Sequence, residues 1–181
     1  MNLPYRISFV LPWLRMWDKK LVEKSKFSLA TYKDPATVEF VSKFDHKTLA
    51  VWAIDCVERV MPYFEEKYPE DQRPRLAIET LQTWIRTGVF KMAVIRKASL
   101  TSHAAARDVG EDSAARSVAH AAGQAVATAH VPIHALGAAN YALQAIYRAS
   151  KPADTGAAIA KERKWQLQHL IDLGDSRFRS E

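Results

Sequence analysis

The sequence predicts an all-α protein, a bundle or array of five to six helices around an alanine-rich central helix that is kinked or broken near Pro132. Three observations predict it. Apolar and polar residues never alternate for more than a few positions, so no half-buried strand can be written. Apolar residues recur instead at three- and four-residue spacing, in segments bounded by Asp, Pro and Gly. Finally, residues 112–149, DSAARSVAHAAGQAVATAHVPIHALGAANYALQAIYRA, are small or apolar on almost every side, the pattern of a helix buried all round.

The elements follow in order. Residues 1–44 read as a basic, aromatic extension packed on the body, with PYRISFVLPWLRMW as a short helix or irregular arm and a further short helix near 35–43. Asp45 stands where it can cap a helix over 46–60. Leu49, Trp52, Ala53, Cys56 and Val60 form that helix's inner stripe, and Asp55 and Arg59, four apart, are expected to pair outside. Pro62 opens a short continuation, and YPEDQRP is a polar turn.

Pro74 begins the next helix, which Gly88 stops; Ala77, Ile78, Leu81, Trp84 and Ile85 line one side and Arg75, Glu79, Gln82 and Arg86 the other. A helix over 90–109, ended by Gly110, puts Arg96, Leu100, His103 and Arg107 on one face. Asp112 is placed to cap the central helix, and Pro132 interrupts it, because proline removes the hydrogen bond to the Thr128 carbonyl. A last helix over 155–172 carries Ile159, Trp165, Leu170 and Ile171 and ends at Gly174. Residues 45–181 thus read as one helical domain, of a length that supports a sizeable core.

Composition narrows the function. Apolar content of 48% and charged content of 25% are ordinary for a globular chain. The single cysteine, Cys56, excludes an internal disulfide and fits a reducing cytoplasm. No apolar run is long enough to span a bilayer, and ISFVLPWL, broken by Pro12 and lacking a small-residue cleavage site, is not a signal peptide. The net charge of +6 is concentrated in residues 1–44, with eight Lys/Arg against four Asp/Glu. Residues 45–150 hold twelve against eleven, which argues against a nucleic-acid-binding body and leaves only residues 15–26 as a basic segment of that kind.

The chemistry-bearing residues gather on the central stretch. Wound at about 100° per residue, Arg116, His120, Gly123, Ala127, His130, His134 and Tyr141 share one face. If the preceding helix packs antiparallel, Arg96, His103 and Arg107 meet that row, with Asp55 as a possible counter-charge. His130 and His134 have the i, i+4 spacing of a helix-face metal pair. Pro132 lies between them, no HExxH glutamate accompanies them, and residues 113–153 contain no Asp or Glu. Structural histidines therefore fit better than a metal site, and no cofactor is expected. His46 and His169 read as surface residues. Ser99, Ser102, Ser117, Thr128 and Tyr141 lie in no nucleophile motif. Two readings follow: a His/Arg network that fixes helix register inside a binding protein, or an enzyme dependent on a small molecule or metal, with a His/Arg-lined cleft between helices 90–109 and 112–149.

A resemblance bears on the choice. DHKTLAVWAIDCVERVMPYFEEKYPEDQRPRLAIETLQTWIRTG, RKASLTSHAAARD, AARSVAHAAGQAVATAHVPIHALGAANYALQA and KERKWQLQHL together resemble a family of immunity proteins from bacterial polymorphic toxin systems, the immunity-five-like type, over about residues 45–171. The resemblance implies a small cytoplasmic helical protein, without enzymatic activity, that binds and neutralises a cognate toxin. The polar positions that match are Asp55, Arg73, Arg75, Glu79, Trp84, His103, Arg107, Arg116, His120, His130 and His134. The near-neutral body differs from the strongly acidic surface of an inhibitor that mimics nucleic acid, which argues against a nuclease target. Homo-oligomerisation stays open.

Overall fold

The structure, a computed structural model, describes residues 35–111 and 113–178. All regular structure among them is helical: α1 (Pro35–Val41), α2 (His46–Glu58), α3 (Pro62–Glu65), α4 (Arg73–Thr87), α5 (Met92–Asp108), α6 (Ala114–Ala127), α7 (His134–Ala149) and α8 (Thr155–Phe178). Six of these are long and two, α1 and α3, are short. The expectations for residues 1–34 and for Asp112 lie outside the described residues.

Local chemistry sets the boundaries. Asp45 caps α2 as expected: its carboxylate accepts from the Thr48 backbone N–H at 3.0 Å and from the Thr48 hydroxyl. Pro62 and Pro74 occupy first turns, where a missing N–H costs nothing. Gly88 ends α4 in the left-handed conformation, φ 68°, and its N–H returns to the Trp84 carbonyl. The cap of α6 is Ser113, whose hydroxyl accepts from the Arg116 N–H at 3.1 Å.

Two glycines act differently from their predicted roles. Gly110 does not cap α5, which ends at Val109 in an extended conformation. Gly174 does not stop α8, which runs on to Phe178. A Cβ at Gly174 would lie 2.7 Å from Cε1 of Phe44, so the residue is small to admit that ring.

The alanine-rich stretch is broken rather than kinked. Residues 128–133 form turns, and Pro132 sits in the linker between α6 and α7. The two helices return on each other as an antiparallel hairpin, read from the pairings Ser117–Gln144, His120–Tyr141 and Gln124–His134. Both helices are small around most of their circumference: Ala115, Ala119, Ala122 and Ala125 on α6, and Ala135, Ala138, Ala142 and Ala145 on α7 are buried. That allows a close approach, and the Gln124 side chain lies where a Cβ on Gly137 would be, 2.7 Å from its Oε1.

Around this hairpin the other helices form the shell. α6 packs against α2, α3, α4, α5 and α7, so it is the central rod the composition predicted. α5 runs antiparallel to α6, since Ser99 pairs with Gly123, Ser102 with Ala119 and His103 with His120. α2 supplies Leu49, Trp52, Cys56 and Val57 to the core, and Trp52 Nε1 donates to the Gln166 carbonyl on α8 at 2.8 Å. Phe40 and Val41 of α1 are buried in the same core. Each large apolar side chain buried this way contributes roughly 1.5–3 kcal/mol.

Candidate functional site

The antiparallel packing of α5 on α6 brings the two predicted polar rows together at one point. His103 Nδ1 and His120 Nδ1 lie 2.9 Å apart, within hydrogen-bond reach. One nitrogen must donate and the other accept, so both rings cannot be charged at once. The His103 ring lies across Gly123, where an added Cβ would fall 2.9 Å from Cε1 and Nε2. His120 stacks on Tyr141 of α7, with centroids 5.0 Å apart. His134, at the start of α7, shares a 2.7 Å hydrogen bond between Nδ1 and Gln124 Oε1, in which the imidazole donates.

These half-buried rings are held neutral. Burial pushes the His120 pKa down to about 4, helped by His103, Arg116, Arg148 and Arg107. Burial also lowers His103, with Arg107 and His134 adding to it, and lowers His134, with His130 adding to it. No carboxylate contributes. Asp55, the expected counter-charge, is engaged elsewhere: its Oδ2 is 2.6 Å from Nε2 of His169 on α8. Arg148 donates to the Ser117 hydroxyl at 2.8 Å, and that hydroxyl donates to Gln144 Oε1 at 3.1 Å, so the network continues along α6 and α7.

Not every predicted member joins. Arg96 and Arg107 are exposed on α5. His130 is exposed in the turn after α6, its ring 6.4 Å from that of Phe90. The i, i+4 metal argument for His130 and His134 fails for that reason: the helix has ended before His130, so the two rings do not share a helix face. Among the described residues no three His, Cys, Asp or Glu side chains are grouped to hold a metal ion.

Arg73 and Arg75 do structural work at the start of α4. Arg73 bridges Asp71 at 2.6 Å and Asp108 of α5 at 2.8 Å; its hydrogen bond holds the Asp71 carboxyl below the usual range. Arg75 bridges Glu65 at 2.8 Å and Glu58 at 2.5 Å, fastening α4 to α2 and α3. The predicted solvated row thus holds at exposed Glu79, Gln82 and Arg86 but not at Arg75.

A family model described as "Imm-5 like putative immunity protein" matches residues 39–173. The chain belongs to this immunity family. No curated protein and no solved structure matches it. The match begins within α1 and ends within α8, so the polar network and both arginine clamps lie inside the family's span.

In this family member a second cluster, between α2 and α8, escaped the sequence reading. Asp55 does not pair with Arg59. It binds His169, whose ring stacks on Trp165 with centroids 4.7 Å apart. The Arg59 guanidinium lies 3.9 Å from the Trp165 centroid and donates to Glu162 at 2.9–3.1 Å. Glu162 is only 4% exposed, so Arg59 is what makes its burial tolerable. His46 also departs from a surface role: its Nε2 is 2.5 Å from the Thr128 carbonyl, and its ring packs on Trp84. The available signal was the pair of i, i+4 spacings, Asp55–Arg59 and Trp165–His169, on two helices that pack antiparallel. Cys56 sits beside this cluster, fully buried; burial, with Glu162 and Asp55, pushes its thiol well above the ordinary value and keeps it inert. No helix among the described residues is long and apolar enough to cross a membrane.

Proposed function

We propose that this immunity-family chain neutralises a cognate toxin by binding it directly in the cytoplasm, and that its histidine and arginine rows are scaffold. Membership of the family supports the immunity role. The observation that carries the scaffold reading is the use already made of one nitrogen on each ring: the Nδ1 atoms of His103 and His120 face each other and that of His134 faces Gln124. A working acid or base needs a nitrogen aimed at a substrate and a pKa near the operating pH. His120, at about 4, has neither a partner carboxylate nor such a pKa. Arg73 and Arg75 fix the helix ends, while Glu79, Arg96, Arg107 and His130 remain on the surface for a partner. Residues 1–44 are read as an addition to a binding body over 45–181.

The test is co-expression with toxin domains encoded by neighbouring genes, each supplied singly. The account expects growth to be restored by one of them and an equimolar complex to be isolated with it. Protection without any complex would favour chemistry over binding, and the absence of both would remove the proposal.

A further inference from the structure

Seven large apolar side chains are exposed among the described residues, and five of them, Val89, Phe90, Met92, Val94 and Leu100, fall within a single short stretch. Val89 and Leu100 are 59% and 56% exposed, far more than a core position would be. The same region is one-sided in charge. Between Glu79 and Asp108 the sequence holds Arg86, Lys91, Arg96, Lys97 and Arg107 and no acid. All five cations are exposed, and none makes an ion pair among the described residues. This contrasts with Arg59, Arg73 and Arg75, each of which is paired.

The helix geometry gathers them. Ile95, Ser102, Ala105 and Ala106 face the core, which leaves Arg96, Lys97, Leu100 and Arg107 on the outer side of α5. Val89, Phe90 and Lys91 form the connection that enters this helix. An apolar centre edged by unpaired cations is the composition of a protein interface, and contiguous exposed apolar side chains mark interaction sites.

We infer that the α4–α5 connection and the outer side of α5 receive the toxin, and that the toxin presents an acidic surface around an apolar centre. This rests on the direct-binding reading above. Charge complementarity selects the occupant. A second copy would set Arg96 and Lys97 against cations of its own kind. Residues 1–34, with seven Lys/Arg against three Asp/Glu, carry the same sign. A nucleic acid would meet mainly aliphatic side chains where single strands need stacking platforms, with Phe90 the one aromatic ring in the group. An acidic surface on the toxin also points away from a nuclease blocked at its substrate-binding surface, which is basic.

The experiment compares two doubly charge-reversed proteins. R96E/K97E alters the proposed face. K161E/K164E makes the same change in net charge at two exposed lysines of α8. Binding of each to the purified toxin domains of neighbouring genes is measured at low and high salt, with circular dichroism and melting as controls for folding. The inference expects wild type and K161E/K164E to bind one domain equally, R96E/K97E to bind it at least about tenfold more weakly, and wild-type affinity to fall with salt. Equal binding by folded R96E/K97E overturns this face while leaving direct binding intact. Failure of the wild type with every domain overturns both. Capture of duplex or single-stranded nucleic acid by wild type and not by R96E/K97E overturns the protein partner.

Discussion

Alanine at Gly123 should destabilise the protein with His103 present and stabilise it with His103 removed. The added Cβ falls 2.9 Å from two atoms of the His103 ring and 3.0 Å from a third, so the whole imidazole must move. Moving it breaks the 2.9 Å bond to His120. Overpacking of this kind costs about 1–3 kcal/mol. Alanine in a helix interior recovers about 1 kcal/mol relative to glycine. The net expectation for G123A is a loss of up to about 2 kcal/mol, or up to roughly 8 °C in melting temperature for a chain of this size. In an H103A background the ring is absent and only the propensity gain remains, so G123A should then raise stability by up to about 1 kcal/mol. Urea unfolding of the four proteins in the cycle reads the sign change directly. A G123A protein more stable than wild type, or one with the same effect in both backgrounds, would refute the packing of His103 on α6.

Acid should weaken the same network. The histidines are charged more easily in the unfolded chain than in the folded one, so the unfolded state binds more protons as pH falls below about 6.5. Their contribution is complete above that pH and is lost on descent toward the folded value, about 4 for His120. Discounted for the partial exposure of the ring, His120 contributes roughly 1–2 kcal/mol. Urea midpoints between pH 7 and 4.5 should fall less steeply for H103Q/H120Q than for wild type, and parallel profiles would contradict this. At the second cluster, R59A leaves Glu162 buried without its cation and should cost about 2–3 kcal/mol by urea unfolding, whereas R59A/E162Q should recover part of that loss. Cys56 should resist a thiol reagent in the native state and react on denaturation; rapid native labelling would show that its burial is wrong.

Much of the fold was legible because local rules and tertiary packing agreed. Asp45, Pro62, Pro74 and Gly88 bound their helices by cap and turn chemistry that acts within four residues. The small-residue face of 112–149 announced a rod that neighbours approach closely, and α6 is that rod. The glycines at 110 and 174 show where the reading stops. Gly174 answers to Phe44, 130 positions away, which no local window contains.

The site divides the same way. His103 and His120 could be brought together from helix periodicity and an antiparallel guess. The fate of Asp55 depended on which face of α2 meets α8, and the pattern at 45–60 is compatible with more than one neighbour. His130 leaves the face that a continuous winding gives it because α6 ends at Ala127 and α7 starts only at His134. The exposed apolar residues at 89–100 look in sequence like half of an ordinary amphipathic helix; only the packing of α5 on α6 through Ser99, Ser102 and His103 reveals which half has no covering.

The most direct measurement is protection against the cognate toxin domain by H103Q/H120Q, at a temperature where circular dichroism finds that protein fully folded. If the imidazoles only hold α5 on α6, the folded double variant protects cells and binds the toxin as wild type does. A folded double variant that has lost protection would mean that the rings themselves act on the toxin or its substrate, and the scaffold account would be wrong.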